Sequence, residues 1–155
     1  MRCWGWLVLA AGLATTGMGC KGGGGGGSGG ARTRESTVVL KRLYQGAKQY
    51  FTENGAVPTT PGPLTPAATA CNGGAQVKHA PDAALWAGSP WVELNFTMDD
   101  PHYYSYQYEG SVSGITLTAV GDLDCDGTPS TFTLKAQIDS GQLSAPTIIE
   151  DRPNE

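Results

Sequence analysis

Three aspartates at alternate positions, Asp122, Asp124 and Asp126, are followed by Gly127, and no other stretch of the chain gathers so much chemical potential. Alternate carboxylates put hard oxygens on one side of a turn and the glycine allows a sharp bend, the pattern of the front half of a calcium loop. An EF-hand loop requires a bidentate glutamate at its twelfth position, where this chain has Thr133, and helices on both sides, where strands read instead. Two readings stay open. One is a calcium site of another kind, helped by backbone carbonyls or by Asp99 and Asp100. The other is a plain acidic β-turn, because Asp and Gly are the residues such turns prefer.

Other reactive side chains are sparse. His79 and His102 are the only histidines, the serines are scattered, and neither a nucleophile elbow nor an H-E-x-x-H pattern occurs. His102, beside Tyr103 and Tyr104, reads as an edge-strand hydrogen-bonding residue rather than a base. The expectation is a protein that is not an enzyme. Tyr104, Tyr106 and Tyr108 alternate along one strand face. Turned to solvent they would be a face that stacks on sugars or binds protein; turned to a helix they are core, the reading we favour.

Of four cysteines, Cys3 lies in the opening stretch and Cys20 closes it, leaving Cys71 and Cys125 as an even pair. In an exported protein such a pair is read as one disulfide. The opening MRCWGWLVLAAGLATTGMGC has Arg2, an apolar run from Trp4 to Ala14 and small residues up to Cys20. It is short for a membrane span and suits a secretory signal. The small residues before Cys20 resemble a bacterial lipoprotein signal, which implies lipidation of Cys20, a signal over 1–19 and a membrane partner reached through the lipid. An ordinary signal peptide cut near Gly19 is the alternative. The location expected is the outer membrane or cell surface, with the periplasm as second choice. Residues 20–33 include KGGGGGGSGG and read as a tether.

The elements that position the aspartates follow. Residues 34–155 read as one α+β domain. Val39, Leu40, Leu43, Tyr44, Ala47, Tyr50 and Phe51 recur at helical spacing, which predicts one long helix from Glu35 to Asn54, stopped by Gly55 and Pro58. Gly46 within it suggests close packing. A proline-rich αβ-loop to Pro101 contains Cys71, and one or two short helical turns there anchor Leu85, Trp86, Trp91, Leu94 and Phe96. Strands are predicted over Tyr103–Glu109, Ile115–Val120 and Thr131–Ile138, with Ser144–Glu150 as a short edge strand or tail. The fold class is therefore α+β, a long N-terminal helix packed on a three- to four-stranded antiparallel sheet. Charge is split: residues 21–54 carry a balance of +4 and residues 55–155 one of −9. A basic helix over an acidic sheet suggests pairing within the fold or between neighbours, or else a solvated face. No basic patch interleaved with aromatics points to nucleic acid.

The order LKRLYQGAKQYFTENG, then the Trp86 and Trp91 region, DDPHYYSYQYEG and GDLDCDGTPSTFTL resembles the head of a type IV pilin or type II secretion pseudopilin, over residues 34–140. The resemblance implies a non-enzymatic protein that makes protein contacts at the cell envelope, with pilus or secretion-system proteins as partners. The apolar helix half that anchors pilins and builds the filament core is replaced here by the lipoprotein-like leader and the glycine stretch. The alternative is a monomeric surface module for carbohydrate or matrix, using the tyrosine-rich sheet.

Overall fold

A computed structural model describes residues 29–153. The signal segment, Cys20 and the first part of the expected tether lie outside the described residues. The architecture is α+β, one helix laid across an antiparallel sheet of six strands.

Helix α1 spans Gly29–Asn54, 26 residues and about 39 Å of rod. It begins before the expected Glu35, so Gly29 to Thr33, read as tether, are helical. The physical reason is tertiary. Arg32 donates to the Leu123 carbonyl, and its guanidinium lies 5.2 Å from the Tyr103 ring centre; Thr33 Oγ1 donates to the Pro153 carbonyl. These contacts outweigh the poor helix propensity of two glycines, about 1 kcal/mol each. The helix ends as expected: Gly55 has φ 70° and its N–H reaches the Phe51 carbonyl at 2.8 Å.

Val39, Leu40, Leu43, Tyr44 and Ala47 are buried, while Val38 is exposed and Phe51 is half-buried. A Cβ on Gly46 would run into the Leu94 carbonyl, so the helix and the loop touch backbone to backbone there. The helix cations find no acid on the sheet. Among the described residues the one ion pair is Arg152 with its neighbour Asp151. Arg42 instead stacks 4.6 Å from the Phe96 ring centre and donates to the Thr97 carbonyl.

The strands are β1 Gly62–Thr65, β2 Cys71–Asn72, β3 Ala75–Gln76, β4 Ser105–Ser111, β5 Gly114–Gly121, β6 Ser130–Asp139, β7 Gln142–Leu143 and β8 Thr147–Asp151. The main sheet runs β1-β4-β5-β6-β7, with β8 also on β6. Two strands of this sheet escaped the sequence reading, as did the β2–β3 hairpin within the αβ-loop. β1 holds Pro63 and looks like loop, and β7 is too short for alternation to show. Register puts Tyr106, Ala119 and Phe132 in one row and Tyr108, Leu117 and Leu134 in the next, all facing the helix. Small partners offset the tyrosines: Gly62 sits opposite Tyr108, and Ala119 opposite Tyr106. Tyr104, Tyr106 and Tyr108 are 0% exposed. These rings are core, the reading favoured from the sequence, which overturns the binding-face alternative, and Tyr108 Oη donates to the Pro58 carbonyl at 2.8 Å.

The αβ-loop is pinned by aromatics. A 3-10 turn at Ala83–Trp86, capped by the Asp82 carboxylate on Ala84 N–H, drops Trp86 into the core. Trp86 meets Trp91 and Phe96 edge-on, with ring centres 5.0 and 5.2 Å apart. Leu85, expected as an anchor, is 43% exposed, because a turn this short buries only one of two adjacent side chains. No described helix is long and apolar enough to cross a membrane.

Candidate metal centre

The segment from Asp122 to Pro129 joins β5 to β6 and is closed at its base by the pairing of Gly121 with Ser130. Inside it two residues have positive φ, 62° at Cys125 and 92° at Gly127. A non-glycine residue in the left-handed region costs about 1–2 kcal/mol, so the Cys125 conformation is held by its surroundings. The holding group is the bond from Cys125 to Cys71, the first residue of β2, with S–S 2.11 Å. The expected disulfide is present. Both sulfurs lie against the Asp122 carbonyl oxygen, at 3.5 Å from Cys71 and 3.9 Å from Cys125.

This geometry gathers the three aspartates. One carboxylate oxygen from each lies within 4.8 Å of the others. Calcium–oxygen distances of about 2.3–2.6 Å allow two ligands of one ion to stand about 5 Å apart, so the spacing suits a single calcium. Asp122 is 5% exposed, whereas Asp124 and Asp126 face solvent. Asp122 Oδ2 accepts the Gly127 N–H at 3.0 Å, which turns its carboxylate into the loop. Its Oδ1 is buried with no hydrogen-bond partner. A buried carboxylate oxygen without a donor is costly, and a cation is the group that answers it. Asp124 Oδ1 takes the Asp126 N–H at 3.2 Å and Asp126 Oδ1 takes the Thr128 N–H at 2.6 Å. Each carboxylate thus also shapes the turn, as the plain β-turn reading expects. Repulsion between two carboxylates about 5 Å apart is about 1 kcal/mol even in water. A hard dication removes that repulsion, and backbone carbonyls and water would complete its shell. Asp99 and Asp100 are not in this group. Asp99 instead accepts from the Thr97 hydroxyl at 3.2 Å. The cluster of Cys71, Asp122 and Cys125 offers no thiolate, because both sulfurs are in the disulfide.

Three further arrangements escaped the sequence reading. Glu35 Oε1 accepts the Tyr103 N–H at 2.8 Å, the Tyr104 N–H at 3.2 Å and the Tyr106 hydroxyl at 3.3 Å, tying the helix to the start of β4. A helical glutamate that close to solvent carries no such signal in its sequence context. His79 and His102 form an isolated antiparallel bridge, their rings 5.2 Å apart. His102 is buried and donates from Nδ1 to the Asp100 carbonyl at 3.1 Å, so it is a hydrogen-bonding residue as expected, with a partner two residues away in the chain. Burial, and then the neighbouring His102, lower the His79 pKa below its ordinary value. Arg32 and Lys78 flank the Tyr103 ring, Lys78 at 4.9 Å. Burial likewise pushes the phenols of Tyr106 and Tyr108 up, so both stay neutral.

No family model, curated protein or solved structure matches this chain.

Proposed function

We propose that this chain is a non-enzymatic, lipid-anchored, extracytoplasmic protein with a pilin-like head that makes protein contacts at the cell envelope, as an accessory of a type IV pilus or type II secretion apparatus. The observation that supports the reading best is the order of parts. A long helix lies on an antiparallel sheet, an αβ-loop follows the helix, and a disulfide staples that loop to the turn between β5 and β6. The leader ending in Cys20 supplies the anchor, and the aspartate turn takes calcium as a structural ion that keeps the contact surface in one shape. The carbohydrate-module alternative relied on an exposed tyrosine face, and those tyrosines are buried. A pull-down from detergent-solubilised envelope, run beside a Cys20→Ala control, tests the proposal. Recovery of pilin or secretion-system subunits, together with loss of the control from the membrane fraction, is expected. Recovery of no such subunit, or a control that fractionates unchanged, counts against it. For the ion, the melting temperature is expected to rise with calcium and fall with chelator; identical values remove calcium from the account.

A further inference from the structure

We propose that the Cys71–Cys125 bond and the cation site of the Asp122–Thr128 turn are linked equilibria: oxidation raises calcium affinity, and bound calcium protects the bond from reduction. The inference rests on the calcium reading above and adds its control. Cys125 stands between two of the candidate ligands, Asp124 and Asp126, in a left-handed conformation with φ 62°. Both sulfurs abut the carbonyl of the third, Asp122.

The far end of the clamp is anchored independently. Cys71 begins a hairpin with β3 whose Gly73 and Gly74 turn, φ 60° and 79°, is built for two-residue closure. Beyond it Val77 N–H returns to the Ala70 carbonyl, and His79 bridges to His102. The disulfide therefore joins the ligand turn to a segment with its own hold on the body of the protein. Asp122 is buried and stays placed without it. Asp124 and Asp126 are exposed and have only turn hydrogen bonds to keep their carboxylates beside that of Asp122. Once the bond is cut, Cys125 is free to leave the left-handed region and the mutually repelling carboxylates are free to part. Preorganisation of the ligand set is then lost, and affinity with it. Reciprocity follows from thermodynamics: whatever factor oxidation adds to calcium binding, calcium adds to the stability of the oxidised form.

The chemistry balances with a dithiol reductant. Its two thiols supply two electrons and two protons and close into their own disulfide, while the Cys71–Cys125 bond breaks to two thiols. No other reactant is required.

The test uses the mature chain and calcium ion alone. Calorimetric titration of the oxidised protein, and of protein reduced with a phosphine that is then removed, is expected to show affinity falling on reduction by about 5- to 150-fold, the usual range of site-to-site coupling. Equal affinities in the two forms overturn the linkage while leaving the cation site standing. Absence of binding to the oxidised form, with Asp122→Asn behaving identically, overturns the calcium reading and the linkage with it. Should the reduced chain unfold, the reciprocal arm starts from folded protein: the oxidised fraction in graded dithiol buffers, with calcium or with chelator. Calcium is expected to move that midpoint toward stronger reducing conditions in the parent and not in Asp122→Asn. A midpoint indifferent to calcium in a parent that binds it overturns the proposal.

Discussion

Between the helix and the sheet, Leu40, Leu43 and Ala47 face rows of Tyr106, Ala119 and Phe132 and of Tyr108, Leu117 and Leu134, all at 0% exposure. In the turn between β5 and β6 the buried residues are Asp122 and Leu123, and the rest of the structure there is a disulfide, two left-handed residues and three carboxylate hydrogen bonds. The first region is held chiefly by removing apolar surface from water, at about 25 cal/mol per Å², and its phenols are admitted with hydrogen-bond partners, Tyr106 on Glu35 and Tyr108 on Pro58. The second has little apolar surface to bury and relies on a covalent link and on local electrostatics. The two therefore respond to different insults. Cavities break the core, whereas reduction or loss of charge breaks the turn. A region held by few directional bonds is also the one whose shape a ligand can select.

The comparison can be broken hardest in the core. Phe132→Ala removes a ring that is fully buried and packed edge-on against Tyr104, with ring centres 5.8 Å apart. It should cost about 3–5 kcal/mol in urea unfolding, with calcium sensitivity of the melt retained. Removing the disulfide by Cys71→Ser with Cys125→Ser comes next. With the cysteines 54 positions apart, the chain-entropy model gives about 4 kcal/mol. Tryptophan fluorescence from Trp86 and Trp91 should keep its native maximum below the transition, because those rings pack in the core rather than in the turn. A smaller effect is expected at Gly46→Ala, whose Cβ would meet the Leu94 carbonyl: about 1–3 kcal/mol, from a substitution that stabilises an ordinary exposed helix. If Gly46→Ala raises stability instead, the helix and the loop do not touch as described.

The mildest test is pH. Because His79 has a folded pKa below its unfolded value, the unfolded chain binds more protons. Its contribution to stability is thus complete above about pH 6.5 and is lost as pH falls through the lowered folded value. Protonation there also places charge beside His102 across the bridge. His79→Gln is expected to flatten the slope of melting temperature between pH 7 and 5; an unchanged slope would assign it to other groups.

Much of this was legible in the residues themselves. The apolar stripe from Val39 to Ala47 and the Gly55 stop set the helix and its end, because helical spacing and left-handed glycine are local properties. Alternation over Thr131–Ile138 marked β6 for the same reason, and two cysteines in a chain whose leader reads as a secretory signal marked the staple. The aspartate spacing marked the turn as a candidate site. What the residues left open was each question whose answer lay across the fold. Whether Tyr104, Tyr106 and Tyr108 face core or solvent depended on which side of the sheet the helix took. Alternation alone gives two faces and cannot say which is covered. The helix start at Gly29 depended on Leu123 and Pro153, residues distant in sequence.

The chain by itself therefore determined the body of its helix, its longer strands, its disulfide partners and the spacing of Asp122, Asp124 and Asp126, since these follow from periodicity, backbone preference and composition. Only the tertiary structure decided that Asp122 is buried with one oxygen unanswered, that Asp124 and Asp126 remain in solvent, and that Cys125 is locked between them. Burial and covalent closure depend on segments far apart in sequence meeting, and that proximity exists only once the chain has folded.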